Sequence, residues 1–213
     1  MLIVSLNIRG LGGGTKTRYL RRIIASEGAK LVCLQETKTT VITYAKCFAL
    51  WGDNKIGWIH NEGDNGGGSL LTMWHKDALC YESHVIGKGF IAVSSIHLSS
   101  ARRCVIVNIY SACVLRDKKL LWEELTNIKV ASQELVWCLC GDFNAIRSRR
   151  ERKGASVRGD TPSGHSSEIN GFNRFIESNL LLNLPIIGKK SCGLKQMGQL
   201  RVGLIEFLSL KSG

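Results

Sequence analysis

Four polar residues follow apolar, strand-like runs and have side chains suited to holding a cation or a phosphate. Asn7 follows LIVSL, Glu36 follows LVCLQ, and Asp142 and Asn144 follow LVWCLCG. Strand ends in layered α/β proteins are places where groups from distant parts of a chain converge. A carboxylate such as that of Glu36 can hold Mg²⁺ together with water and a substrate phosphate. The shared placement of these residues predicts one site for phosphodiester hydrolysis.

The residues of this predicted site other than Glu36 have types suited to further roles in the same reaction. Asp142 and Asn144, two apart on a turn, can present a carboxylate and an amide to an attacking water. Tyr110 ends another strand and can donate its hydroxyl to a phosphate oxygen, although an interior tyrosine with a satisfied hydroxyl is an equal alternative. Taken singly, Asn7 is typical of a turn or cap, Glu36 of a solvated strand end, and Asp142 of an ordinary turn.

The chain is strongly basic, which favours a polyanionic partner. Lys and Arg number 29 against 17 Asp and Glu, which gives a net charge of +12. Such a surface attracts nucleic acid, although the same charge also serves solubility. A cluster of cations follows the Asp142 turn, and we expect it either to contact phosphates or to be a solvated charged loop. Its members are Arg147, Arg149, Arg150, Arg152 and Lys153.

Strand-like and helix-like segments alternate at both ends of a strand-rich centre. Apolar, β-branched runs predict strands at 2–8, 30–36, 67–74, 89–98, 103–110 and 134–142. Apolar residues at helical spacing predict helices at 15–28, 115–133 and 166–181, the last capped by Ser166 or Ser167. This order, in 213 residues with 44% hydrophobic content, predicts one α/β domain of sheet layers covered by helices.

The cysteines and the start of the chain indicate an intracellular protein. Several of the 8 cysteines lie inside apolar runs, as small buried hydrophobic residues do, and no C-x-x-C pair suggests zinc. Residues 1–8 lack a basic leader, and no apolar stretch approaches the ~18 residues of a membrane span. We expect a nuclear or cytoplasmic location, no secretion, no membrane partner and no obligate protein partner.

Four strings, taken in order, resemble the successive motifs of the endonuclease/exonuclease/phosphatase family. They are SLNIRGLGG at 5–13, LVCLQETK at 31–38, VIVNIYSAC at 105–113 and CGDFNAIRSRRERKG at 140–154. The longer sequence that contains these four strings is similar to the endonuclease domain of plant non-LTR retrotransposons. The resemblance implies an α/β fold in which two packed mixed or antiparallel sheets are flanked by helices as a four-layer sandwich, with the domain at 1–190.

The same resemblance implies roles for individual residues. Glu36 is implied as the principal metal ligand, and Asn7 as a contact to metal or phosphate. Tyr110 is implied to contact the scissile phosphate, while Asp142 and Asn144 position or activate the water. The implied cofactor is Mg²⁺, with Mn²⁺ as the alternative, and the implied partner is DNA, with RNA as the alternative. In retroelements the activity is nicking of target DNA.

Two buried-strand residues are expected to have supporting roles. Asn108 points away from its immediate neighbours on its strand, which favours a structural role. The same alternation places the Gln35 side chain on the face opposite Glu36. The alternative is that Gln35 contacts and orients Glu36.

The pattern departs from the family after GKK at 188–190. Ser191, Cys192 and Gly193 stand where the family has a Thr-Trp or Ser-Trp pair, and no Ser-Asp-His string follows. We therefore expect a divergent tail at 191–213, incomplete C-terminal strands, an open edge on the neighbouring strand, and impaired catalysis. A catalytically inactive nucleic-acid-binding remnant and a phosphatase for small phosphate esters are the alternative functions. The five histidines match no family motif and are expected to be ordinary surface or strand residues.

Overall fold

A computed structural model of the chain describes residues 1–63, 68–132, 136–149, 162–183, 200–201 and 207–210. The helices are α1 (Gly14–Glu27), α2 (Tyr44–Trp51), α3 (Leu115–Ala131) and α4 (Pro162–Ser178). The strands are β1 (Ile3–Asn7), β2 (Leu31–Gln35), β3 (Ile56–Asn61), β4 (Leu70–His75), β5 (Leu79–Gly87), β6 (Phe90–His97), β7 (Arg102–Tyr110), β8 (Val136–Asp142), β9 (Leu182–Asn183), β10 (Leu200–Arg201) and β11 (Phe207–Leu210).

The strands form two mixed sheets. The first has the order β10-β1-β2-β4-β3, and the second has the order β5-β6-β7-β8-β11-β9. Within them, β1 runs parallel to β2 and β7 runs parallel to β8, while the other neighbours are antiparallel. The carboxyl ends of β1 and β2 therefore meet at one edge of the first sheet, and those of β7 and β8 meet at one edge of the second.

Three apolar clusters separate four layers. One cluster joins α1 and α2 to the outer face of the first sheet. A second joins α3 and α4 to the outer face of the second sheet, with Trp122, Phe172 and Phe175 in ring contact. The third lies between the two sheets. The predicted α/β sandwich of helix, sheet, sheet and helix is confirmed.

Local sequence signals explain where the helices begin and end. Helix α1 ends at Gly28, which has a φ of 62° and donates to the carbonyl of Ala25. Helix α2 begins after Thr43, whose hydroxyl accepts from the backbone N–H of Lys46. The prediction that Ser166 or Ser167 caps α4 is wrong, because the helix begins four residues earlier, at Pro162, a residue suited to a first turn. In the described part of the chain, no helix combines the length and apolar character needed to cross a membrane.

A buried polar network ties the two sheets together. The Gln35 Nε2 group donates to Asn108 Oδ1 at 2.7 Å and to Ser5 Oγ at 3.2 Å. The Asn108 Nδ2 group in turn donates to the carbonyls of Leu34 at 3.3 Å and Leu71 at 3.2 Å. Buried amides need such partners because an unpaired one is costly. Asn108 therefore has the structural position predicted for it, and Gln35 faces Asn108 rather than the Glu36 side chain.

The end of the chain contributes short strands to both sheets. Two-residue β10 pairs with β1, and four-residue β11 pairs with Val136–Leu139 of β8. The expected incompleteness of the C-terminal strands stays a prediction, because residues 184–199, 202–206 and 211–213 lie outside the described part of the chain. The expected open edge on the neighbouring strand is wrong over Val136–Leu139, because β11 covers it.

Candidate active site

Asn7, Glu36 and Asp142 meet at one point although they are far apart in the chain. The Asn7 Nδ2 group donates to Glu36 Oε1 at 2.7 Å and to Asp142 Oδ2 at 3.2 Å. The two partners lie 29 and 135 residues from Asn7 in sequence. One amide nitrogen therefore bridges two carboxylates, each at the carboxyl end of a strand or just beyond it.

The loop after β1 follows the loop after β2 closely, and this brings Asn7 to Glu36. In the parallel pair, Asn7 lies opposite Gln35, and the backbone pairing continues past both strands. The Gly10 N–H donates to the Glu36 carbonyl at 2.6 Å. Lys16 then holds the first loop, because its ammonium donates to the carbonyls of Ile8, Arg9 and Gly10 at 3.0, 3.1 and 3.0 Å.

Backbone strain is concentrated around this centre. Among described residues other than glycine, six have a positive φ, and four of these lie in the loops that carry the centre. Those four are Arg9 at 48°, Glu36 at 53°, Lys38 at 50° and Asn144 at 47°. Such conformations cost on the order of 1–3 kcal/mol each, and they typically persist at functional sites.

The turn after β8 is fixed against the end of β7. The Asn144 N–H donates to Asp142 Oδ1 at 3.0 Å, and Asn144 Nδ2 donates to the Ser111 carbonyl at 2.6 Å. The Ser111 N–H donates back to the Asp142 carbonyl at 2.8 Å. Gly141, with a φ of 132°, permits the close approach, since a Cβ there would lie 2.0 Å from the Ile109 carbonyl oxygen.

Tyr110 lies against the same carboxylates. Burial, a hydrogen bond to Glu36 and the charges of Glu36 and Asp142 raise the pKa of Tyr110 to about 12. The phenol therefore keeps its proton throughout the physiological range and can act as a hydrogen-bond donor. The five predicted residues Asn7, Glu36, Tyr110, Asp142 and Asn144 thus form a single cluster.

Comparisons with known proteins agree with this fold. The sequence model of the Endonuclease/Exonuclease/phosphatase family matches residues 4–181. The chain belongs to the endonuclease/exonuclease/phosphatase family. A search of curated proteins found no significant match.

Solved structures similar to this family member share its fold at low identity. The AP endonuclease LMAP of Leishmania major has a TM-score of 0.64 and 16% identity, over 99% of this chain and 78% of that one. The APE2 catalytic domain of Xenopus laevis has a TM-score of 0.60 and 15% identity, over 98% and 81%. D. rerio TDP2, complexed with a single-strand DNA product, has a TM-score of 0.52 and 17% identity, over 68% and 61%.

Enzymes of the endonuclease/exonuclease/phosphatase family generally use divalent metals, and the residues present here fit one. The Asn7 Oδ1 atom is buried and has no hydrogen-bond partner among the described residues. It lies on the side chain that bridges the carboxylates of Glu36 and Asp142. The described residues contain no cluster of three or more His, Cys, Asp or Glu side chains suited to a metal. Two carboxylates and an amide oxygen instead match the way Mg²⁺ is held, with substrate phosphate and water completing its shell.

The predicted basic loop is described only at its start. Arg147 Nε donates to Asn173 Oδ1 of α4 at 3.2 Å, and Asn173 Nδ2 donates to the Arg147 carbonyl at 3.0 Å. Arg149 donates to Ser166 Oγ at 3.2 Å. These two arginines therefore lie along α4. The other three predicted phosphate contacts, Arg150, Arg152 and Lys153, fall outside the described residues.

Three of the described histidine side chains hydrogen-bond to residues other than those of the carboxylate cluster. His75 lies 3.4 Å from Asp53, His84 lies 2.8 Å from the Tyr81 hydroxyl, and His97 lies 2.7 Å from Ser100. His60 lies on β3, where burial lowers its pKa. The side chain of His165 is outside the described set. The contacts of His75, His84 and His97 are those of ordinary strand and surface residues, whereas the expected roles of His60 and His165 stay predictions.

Two lysines that support the centre were not predicted. Lys16 binds the loop after β1, as described above. Lys118 of α3 is 3% exposed and binds the Asn144 carbonyl and the Glu168 carboxylate. Sequence reasoning missed both because a lysine in an amphipathic helix is normally solvated. A lysine between apolar positions of the helix is a weak signal that fits many exposed lysines equally well.

Proposed function

We propose that the chain is a Mg²⁺-dependent phosphodiester hydrolase that nicks DNA, with Mn²⁺ able to replace Mg²⁺. The observation that supports this most directly is the single amide of Asn7 between the carboxylates of Glu36 and Asp142. In this proposal Glu36 and Asn7 hold the cation, and the negative charge of the neighbouring Asp142 carboxylate strengthens its binding. When bound, the cation neutralises charge that develops on the phosphoryl oxygens.

The chain's own residues supply the remaining chemistry. Tyr110, neutral because its pKa is about 12, donates a hydrogen bond to a non-bridging phosphate oxygen. Asp142 accepts the proton of the attacking water, since each of its carboxylate oxygens keeps a lone pair beyond its present hydrogen bond. Asn144, held by Ser111, orients the water.

DNA is the proposed substrate because the charge and the comparisons both favour it. A net charge of +12 attracts the phosphate backbone, and TDP2 of similar fold is described with a single-strand DNA product. The resemblance of the motif sequences to those of plant non-LTR retrotransposons supports an endonuclease that nicks target DNA. RNA and small phosphate esters are the competing substrates.

We expect the rate to be low. The described hydrogen bonds of His75, His84 and His97 go to residues other than Asp142 and Tyr110, so none of these imidazoles is positioned as an acid or base in the described cluster. Loss of such a group typically lowers the rate by ~10²–10⁴.

A nicking assay tests the proposal. The purified chain is incubated with supercoiled DNA, abasic-site duplex, single-stranded RNA and a small aryl phosphate, with Mg²⁺, with Mn²⁺ or with EDTA. We expect metal-dependent nicking of DNA by the native chain and its loss in Asp142→Asn. Equal nicking by the two proteins would contradict the proposal. Preferential hydrolysis of the aryl phosphate would show that small phosphate esters, rather than DNA, are the substrates.

A second candidate function is nucleic-acid binding without catalysis, which the charge of +12 favours independently of the cluster. When a protein binds DNA by neutralising phosphates, the logarithm of the association constant falls linearly with the logarithm of the salt concentration. The DNA affinity of Asp142→Asn, measured between low and physiological salt, should fall steeply. A flat dependence would exclude this function.

A further inference from the structure

Lys118 is a cation buried where α3, α4 and the turn after β8 meet. Its side chain is 3% exposed, and its ammonium donates to the Asn144 carbonyl and to Glu168 Oε1. The Glu168 side chain is 19% exposed, so the pair is shielded from solvent. The free energy of burying an ammonium is large unless its donors are satisfied, and here one of two partners belongs to the candidate active site.

The Asn144 carbonyl is a distinctive partner because of the conformation of that residue. Asn144 has a φ of 47°, a left-handed conformation that a residue with a side chain rarely adopts. Its N–H is held by Asp142 and its Nδ2 by the Ser111 carbonyl. Lys118 donates to a third polar group of the same residue, the Asn144 carbonyl. The three contacts together hold the strained turn.

We infer that Lys118 is a positioning residue for the reaction: it orients Asn144 and, through the Asn144 N–H, the Asp142 carboxylate. This inference rests on the proposed function. Lys118 does not touch the substrate in this account. Removing its ammonium should leave the turn free to relax toward an unstrained φ, which changes the direction of both side chains.

The same two helices contain a matched control. Lys129 of α3 donates to the Asn179 carbonyl just beyond α4 at 2.8 Å. It joins the same pair of helices by the same kind of bond, an ammonium to a backbone carbonyl, but its partner is not part of the carboxylate cluster. If Lys118 only joins helices, Lys118→Met and Lys129→Met should have similar effects. If Lys118 positions Asn144, only Lys118→Met should affect the reaction.

The experiment compares the native chain with Lys118→Met, Lys118→Arg and Lys129→Met. Steady-state nicking gives kcat and KM, and ¹⁵N-edited NMR follows the Asn144 side-chain amide, which needs no turnover. Lys118→Met should lower kcat by about 10- to 100-fold with little change in KM, and should shift or broaden the Asn144 amide signals. Lys118→Arg should recover part of kcat, whereas Lys129→Met should leave kcat and these signals close to native.

Lys118→Met strands the Glu168 carboxylate and could prevent folding. The double variant Lys118→Met/Glu168→Met removes both charges, and replacing a buried ion pair by apolar residues is often neutral for stability. It should fold and still show the loss in kcat and the altered Asn144 signals. Unmoved Asn144 signals in whichever of these variants folds, or equal kcat in Lys118→Met and Lys129→Met, would overturn the inference. A native chain without nicking activity would overturn the proposed function, and the NMR comparison would still decide the role of Lys118.

Discussion

At the scale of single residues, Tyr110 reports on the charge around the candidate site. Its pKa of about 12 has burial as the largest cause, followed by the hydrogen bond to Glu36 and the two nearby carboxylates. The raised pKa means that folding favours the neutral phenol. Its contribution to stability is therefore complete below about pH 10, the ordinary tyrosine value, and is lost as the pH rises toward 12.

Glu36→Gln should lower the pKa of Tyr110 toward its ordinary value, because it removes one negative charge and a charged hydrogen-bond acceptor. Alkaline titration of the tyrosinate absorbance measures this, and Tyr110→Phe identifies the contribution of Tyr110 among the 4 tyrosines. Glu27→Gln, at an exposed position of α1, is the control and should leave the titration unchanged. An unaltered Tyr110 titration in Glu36→Gln would show that these two side chains do not interact.

The sequence predicted which polar residues meet in the cluster better than it predicted the residues that support them. Asn7, Glu36 and Asp142 could be selected because each follows an apolar strand, where ligand groups converge. Lys118 could not, because nothing in its helical pattern distinguishes a buried lysine from a solvated one. Its burial depends on a glutamate 50 residues later and on a turn conformation, which are properties of the folded chain.

At the scale of elements, the end of β8 depends on a glycine. Gly141 has a φ of 132°, and its Cα faces the Ile109 carbonyl of parallel strand β7. A methyl group there would meet backbone atoms rather than a flexible side chain. The strand must therefore separate from β7 to accept any other residue, and Asp142 is the next residue along.

Gly141→Ala should displace Asp142 from Tyr110, with loss of nicking and a lower free energy of unfolding. A backbone clash combined with an unfavourable φ places the destabilisation above the ~1 kcal/mol of an average substitution. Gly12→Ala is the matched control, since a Cβ there has no atom within 4 Å, and its unfolding free energy should stay native. Urea denaturation measures both. Native stability in Gly141→Ala would mean that β7 and β8 are less closely paired than described.

The predicted elements succeeded where burial imposes a pattern. Strands β1, β2, β4, β6, β7 and β8 lie within or close to the predicted apolar runs, and α1, α3 and α4 overlap the predicted helices. Strand β5 was missed because it is an edge strand whose residues are almost all exposed, so it shows no alternation. Helix α2 has only eight residues, too few for a clear helical repeat, although Thr43 caps it.

At the scale of the whole molecule, the alignment of the two sheets rests on the Gln35–Asn108 contact. Asn108 is fully buried and, from its place on β7 of the second sheet, forms hydrogen bonds with two strands of the first sheet, β2 and β4. Because Glu36 follows Gln35 and Tyr110 follows Asn108 by two residues, this contact also fixes the distance between two site residues. The division into a domain at 1–190 and a tail at 191–213 stays a prediction.

Asn108→Ala should lower the free energy of unfolding by roughly 2–4 kcal/mol, because it removes several buried hydrogen bonds and leaves a cavity between the sheets. Asn127→Ala, at an exposed position of α3, should change it by no more than about 0.5 kcal/mol. Urea denaturation of both variants measures the difference. Equal stabilities would mean that the network does not hold the sheets in place.

The central claim is that folding gathers Asn7, Glu36 and Asp142 around one divalent cation. Titration of the native chain with Mn²⁺, followed by calorimetry or by the electron paramagnetic resonance of free Mn²⁺, tests it without requiring catalysis. The account predicts one bound ion, with affinity lowered at least ~10-fold in both Glu36→Gln and Asp142→Asn and unchanged in Glu27→Gln. Native affinity in both site variants, or no binding by the native chain, would contradict it.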